Sequence, residues 1–140
     1  MRSGSLILQL DTNAVRALIE ARSGLLDALA RDHRCCLSAV VAAEIRFGLS
    51  RLPASSRLHG LVGSFLASIE ILPWTSRCAD VYGPLRRDLE SHGRPLACMD
   101  LLIATHALAC DHTLVSADRA FHSVPQLSLI DWNELPAGND

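Results

Sequence analysis

Lysine is missing from this 140-residue chain: all thirteen basic residues are arginine. That excludes chemistry built on a lysine, such as a phosphate-loop lysine, a Schiff base or the lysine of a phospho-acceptor receiver domain. The same bias also follows from the codon usage of a GC-rich genome, which is the blander reading. Aromatic residues make up only 4% of the chain, too few for nucleic-acid binding dominated by base stacking. No Cys-x-x-Cys pair occurs among Cys35, Cys36, Cys78, Cys98 and Cys110. An odd count without such pairs is neither a disulfide framework nor a zinc site, and most of the cysteines read as small core residues in a reducing compartment. There is no glycine-rich phosphate loop and no Gly-x-Ser-x-Gly elbow. No apolar run is long enough for a bilayer or a secretory signal, so a cytoplasmic location without membrane contact is expected. The net charge of −2 and pI near 6.3 give no overall attraction to phosphate, although bound divalent cations would reverse the sign locally.

What is present is a compact α/β pattern. An apolar fraction of 49% over 140 residues suits one globular domain with an ordinary core. Leu6–Leu10 reads as a strand, followed by an amphipathic stretch from Asn13 to about Arg31 that breaks near Ser23-Gly24. "RCCLS" (34–38) is a second strand, and Ser38 caps a helix that Pro53 ends. A further helix is expected from about Ala54 to Ser68, then a third strand in "IEILPW". Thr75 or Ser76 opens a helix that stops at Gly93, with Pro84 predicting a kink inside it. "LACMDLLIATHALAC" is the next helix, "HTLVS" the fourth strand and "LSLIDW" the fifth. Short apolar strands alternating with helices predict a parallel sheet covered on both faces, a three-layer α/β/α domain. Residues 1–5 read in part as an appended leader and "PAGND" (136–140) as a tail.

Four of the fifteen acids occupy unusual places. Asp11 ends the first strand, Glu44 interrupts an apolar helix, Asp100 opens another, and Asp118 follows the fourth strand. Parallel strands end at one sheet edge, where ligands bind in such folds. Taken singly, Asp11 or Asp100 is more often a helix cap and Asp118 a turn residue. Glu44 has no well-placed ion-pair partner, since Arg46 is two residues away and Arg51 nearly two turns. Together, acids in apolar settings would repel one another unless cations held them. Magnesium and manganese are the hard ions suited to carboxylate oxygens.

The motifs "LDTN", "AAEIRFGL", "GRPLACMDLLIATHAL", "TLVSADRAF" and the final "DW" together resemble the PIN-domain family, specifically the VapC-type toxins of bacterial toxin–antitoxin pairs. The resemblance spans Leu6 to about Trp132. It implies a five-stranded parallel sheet of order 3-2-1-4-5 and a metal-dependent endoribonuclease. It also implies an acidic pocket of Asp11, Glu44, Asp100 and Asp118 binding one or two magnesium or manganese ions, with Asn13 and Ser116 as polar neighbours. The implied products are a 5′-phosphate and a 3′-hydroxyl. The implied partners are RNA, a VapB-like antitoxin and a second copy of the chain, in a homodimer and a toxin–antitoxin hetero-oligomer. The chain departs from many relatives at Ala117, where they carry Asn, and at Pro84.

Other residues invite weaker readings. Arg46, beside Glu44, is a candidate for RNA phosphates, but a solvated arginine fits as well. His106 lies six residues after Asp100 and about 240° around its helix, so it reads as a packing or hydrogen-bonding histidine. His33, His59, His92, His112 and His122 read as surface. One rival function is a PIN-like binding or regulatory module without catalysis, which an intact set of four acids disfavours. Another is a haloacid-dehalogenase-like phosphatase. That chemistry needs Asp-x-Asp after the first strand, where this chain has Asn13, and a lysine it lacks.

Overall fold

The computed structural model describes residues 6–133; residues 1–5, read in part as appended, and 136–140, read as a tail, lie outside the described residues. Five strands form one sheet: β1 (Ile7–Leu10), β2 (Arg34–Ser38), β3 (Glu70–Leu72), β4 (Thr113–Val115) and β5 (Leu129–Ile130). Every pairing is parallel, and the order is β3-β2-β1-β4-β5, as expected. Six helices connect them: α1 (Thr12–Ile19), α2 (Gly24–Asp32), α3 (Ala39–Ser50), α4 (Leu58–Ser68), α5 (Ser76–Ser91) and α6 (Cys98–Cys110). The chain steps one way from β1 to β3 and then crosses back to β4. Right-handed crossovers in opposite directions place α1–α4 on one face and α5–α6 on the other.

The core is continuous through the sheet. Leu8, Leu10, Leu37, Leu114 and Val115 from the strands pack with Val15, Val41, Ile103 and Phe121. α6 is buried over most of its length, from Leu101 to Ala109, which explains a sequence with so little polar face.

Boundaries follow local chemistry. The amphipathic stretch after β1 divides at Ala21–Ser23, and the Ser23 hydroxyl accepts from Leu26 N to start α2. α4 begins at Leu58 rather than Ala54. Residues 54–57 are instead held in turns, with Ser56 N donating to Pro53 O and Ser56 Oγ accepting from Leu58 N. Serine competes for backbone groups in this way, which delays a helix start. α5 runs through Pro84 without ending, and Gly93 follows it at φ +67°, the left-handed stop that glycine favours. The surface reading of the histidines needs correction at three positions. His33, His59 and His112 are half-buried. His33 accepts from Leu6 N, and His112 bonds the buried Gln9 side chain. Both close the sheet where helices return to it. All five cysteines are free thiols.

Candidate active site

The strand order reverses between β1 and β4, and the two strand ends meet there. Asp11 N donates to Val115 O at 3.1 Å, so the residues just after β1 and β4 are side by side. β1 is buried from Leu8 onward, which delivers Asp11 rigidly with only 5% of its surface exposed. Its Oδ1 accepts from Ala14 N at 2.8 Å, capping α1. Its Oδ2 accepts from Ser116 Oγ at 2.5 Å. Ser116 is itself buried after β4, and its oxygen also accepts from Asp118 N at 2.9 Å. A chain of bonds thus runs from Asp11 through Ser116 to Asp118, whose Oδ1 caps the short 3-10 turn Arg119–Ser123. The cap and site readings of Asp11 do not compete: one carboxylate oxygen caps the helix while the other faces Ser116.

Glu44 approaches from α3, where Thr12 Oγ1 donates to its Oε1 at 2.7 Å. Asp100 sits in the first turn of α6 and makes no capping bond. Asp11 and Asp100 both feel the charges of the other acids. Asp11 is pushed above its ordinary value of 3.8, first by burial and further by the charges of Asp118 and Glu44, against the lowering effect of Ser116 and Ala14 N. Asp100 is raised by burial and then by Asp118, Glu44 and Asp11. Among the described residues, no arginine or histidine forms an ion pair with any of the four. Among the described residues like charges therefore gather without a paired cation, an arrangement that disfavours the charged forms of Asp11 and Asp100.

The side chains do not, as they stand, enclose an ion. Among the described residues no group of three or more Asp, Glu, His or Cys is close enough to hold a metal. Thr12 holds one oxygen of Glu44, and two donors hold Asp11. The donor chemistry nonetheless fits a hard divalent cation: oxygen only, negative and without competing cations. It suits an ion that keeps several waters rather than a closed protein cage.

Of the other residues singled out in the sequence, Ser116 is placed against Asp11, whereas Asn13 is exposed on the first turn of α1. Arg46 is exposed on α3. Thr12 was not legible as a site residue; only the fold shows that it faces Glu44 across thirty-two positions. Beside these two residues lies a groove of about 320 Å³ between α1, α3 and α4, walled by Val15, Ile19, Ile45, Leu49, Leu52 and Val62. Its apolar floor runs up to the acidic site, because Thr12 and Glu44 line both.

Comparison with known proteins agrees with this geometry. The PIN domain family matches residues 9–127. The chain is 32% identical over 134 residues to Ribonuclease VapC2 of Rickettsia felis, covering 92% of this chain and all of that one. It is 28% identical over 100 residues to the tRNA(fMet)-specific endonuclease VapC of Salmonella typhimurium, covering 71% and 76%. The crystal structure of VapBC2 from Rickettsia felis bound to a promoter DNA fragment superposes with a TM-score of 0.80 at 31% identity, over 89% of this chain and 98% of that one. With its sheet order and these matches in accord, the chain belongs to the PIN-domain family, in its VapC branch.

Proposed function

We propose that this chain is the toxin of a VapBC-type pair, an endoribonuclease that cuts RNA with the help of magnesium or manganese. The observation that carries the reading is the uncompensated set of Asp11, Glu44, Asp100 and Asp118 at the strand reversal. The relatives named VapC are called ribonuclease and endonuclease. Asp11 and Asp100 are the principal ligands in this reading, Glu44 completes or orients the set, and Asp118 acts on a second ion or through water. When bound, the ion supplies a Lewis acid for the scissile phosphate and acidifies the attacking water. The chain's own part is positional. Ser116 and Ala14 N fix Asp11 and Thr12 fixes Glu44, and Arg46, exposed on α3, is the candidate contact for RNA phosphate. No protein nucleophile is needed, and water attack leaves a 5′-phosphate and a 3′-hydroxyl.

A VapB-like antitoxin is the natural partner, since the similar solved structures from Rickettsia felis and Salmonella typhimurium are VapBC complexes. The groove between α1, α3 and α4 suits an apolar segment of that partner, and an arginine carried beyond it would reach the unpaired carboxylates. A homodimer bound by antitoxin chains in the cytoplasm completes the reading. Expression of the wild type and of Asp100→Asn in a bacterial host, with mapping of new RNA 5′ ends, tests it. New 5′-phosphate ends are expected with the wild type alone; ends that persist in the variant would overturn the site assignment.

A further inference from the structure

Ser38 and His106 are 1% exposed each, and His106 Nδ1 lies 2.7 Å from Ser38 Oγ. Ser38 closes β2 and is the N-cap of α3, accepting from Val40 N at 3.1 Å. His106 is in the middle of α6. The bond therefore ties the start of the Glu44 helix to the body of the Asp100 helix. Each acid stands six residues from its end of the link (44 − 38 and 106 − 100), about 9 Å along a helix axis. A serine oxygen that already accepts from Val40 has one hydroxyl proton to give. The arrangement that uses each donor once has that proton on the Nδ1 side and the ring proton on Nε2. Burial also favours the neutral ring, which can accept this bond.

We propose that the buried Ser38–His106 hydrogen bond is a positioning link that sets the spacing between the Glu44 and Asp100 carboxylates, and with it the site's affinity for a divalent cation. The inference rests on the metal-dependent reading above. Its physical basis is that neither acid is held by a direct bond to the other helix. Glu44 is tied to Thr12 on α1, and Asp100 makes no capping bond. The relative placement of α3 and α6 then determines how far apart the two donors sit. Groups that orient metal ligands typically change metal affinity by 10–100-fold when removed.

The test is a calorimetric titration of the purified full chain with manganese alone. Asparagine places its amide near the imidazole Nδ1 position, whereas glutamine reaches to the Nε2 position. His106→Asn should bind manganese within about threefold of the wild type, and His106→Gln should bind it about tenfold or more weakly. Ser38→Ala should weaken binding by a similar factor, and combining it with His106→Gln should add little, the signature of one shared link. Thermal unfolding of each variant shows that it is folded before titration. Equal manganese affinity in His106→Asn and His106→Gln overturns the positioning link and leaves the metal reading intact. A folded wild type that takes up no manganese overturns both.

Discussion

At Asp100, burial and three neighbouring carboxylates act in the same direction, against the charged form. A carboxyl whose folded value is raised above 3.8 stabilises the fold only below that value, and the contribution is lost as pH rises through the folded value. At neutral pH without metal, the charged Asp100 therefore costs stability. Asp100→Asn should abolish cleavage yet raise the unfolding temperature in chelator by a few degrees, a gap that closes as pH is lowered toward 3.8. Scanning calorimetry across pH checks this, and a variant less stable than the wild type at neutral pH would contradict it. Ser116 acts oppositely, since its hydroxyl lowers the Asp11 value. Ser116→Ala should cost about 1.5–3 kcal/mol through loss of a buried bond to a carboxylate. It should also move the acidic limb of the pH–rate profile upward, and an unmoved limb would exclude this role. At this scale the four acids stood out in the sequence because each lies inside, or at the edge of, an apolar element. Thr12 and the Ser38–His106 bond were not, because their partners lie thirty-two and sixty-eight positions away.

At the scale of elements, α1, α3 and α4 have two jobs: they cover one face of the sheet and they leave a groove. Their apolar positions were legible as helix periodicity, but the division between core and groove was not. Val15 is fully buried while Leu52, also on the groove wall, is only half-buried, and both appear simply as apolar residues in the sequence. The start of α4 was misplaced for a comparable reason, since Ser56 settles its backbone bonds locally. Leu52→Asp should weaken capture of the antitoxin by about 100-fold, the size of an interface hot spot, while free toxin still cuts RNA. Competition binding with the co-expressed antitoxin reads this out. Undiminished capture would place the partner elsewhere on the surface.

Across the whole molecule, fold class and strand order were legible because five short apolar runs alternate with helices, which few architectures accommodate. The candidate site's place was legible from topology: the reversal between β1 and β4 is where a parallel sheet opens a crevice. Composition was a poorer guide. A net charge of −2 gives no sign of phosphate chemistry, since the relevant charge is concentrated at one strand edge and negative. In the proposed metal-dependent reading, it becomes attractive to RNA only through a cation. The most direct measurement is therefore cleavage of total RNA by the purified chain, free of antitoxin, with manganese and with chelator. The account predicts 5′-phosphate products with manganese, and none with chelator or with Asp100→Asn. Cleavage that survives either change, or a folded, manganese-loaded wild type that cuts nothing, would contradict it.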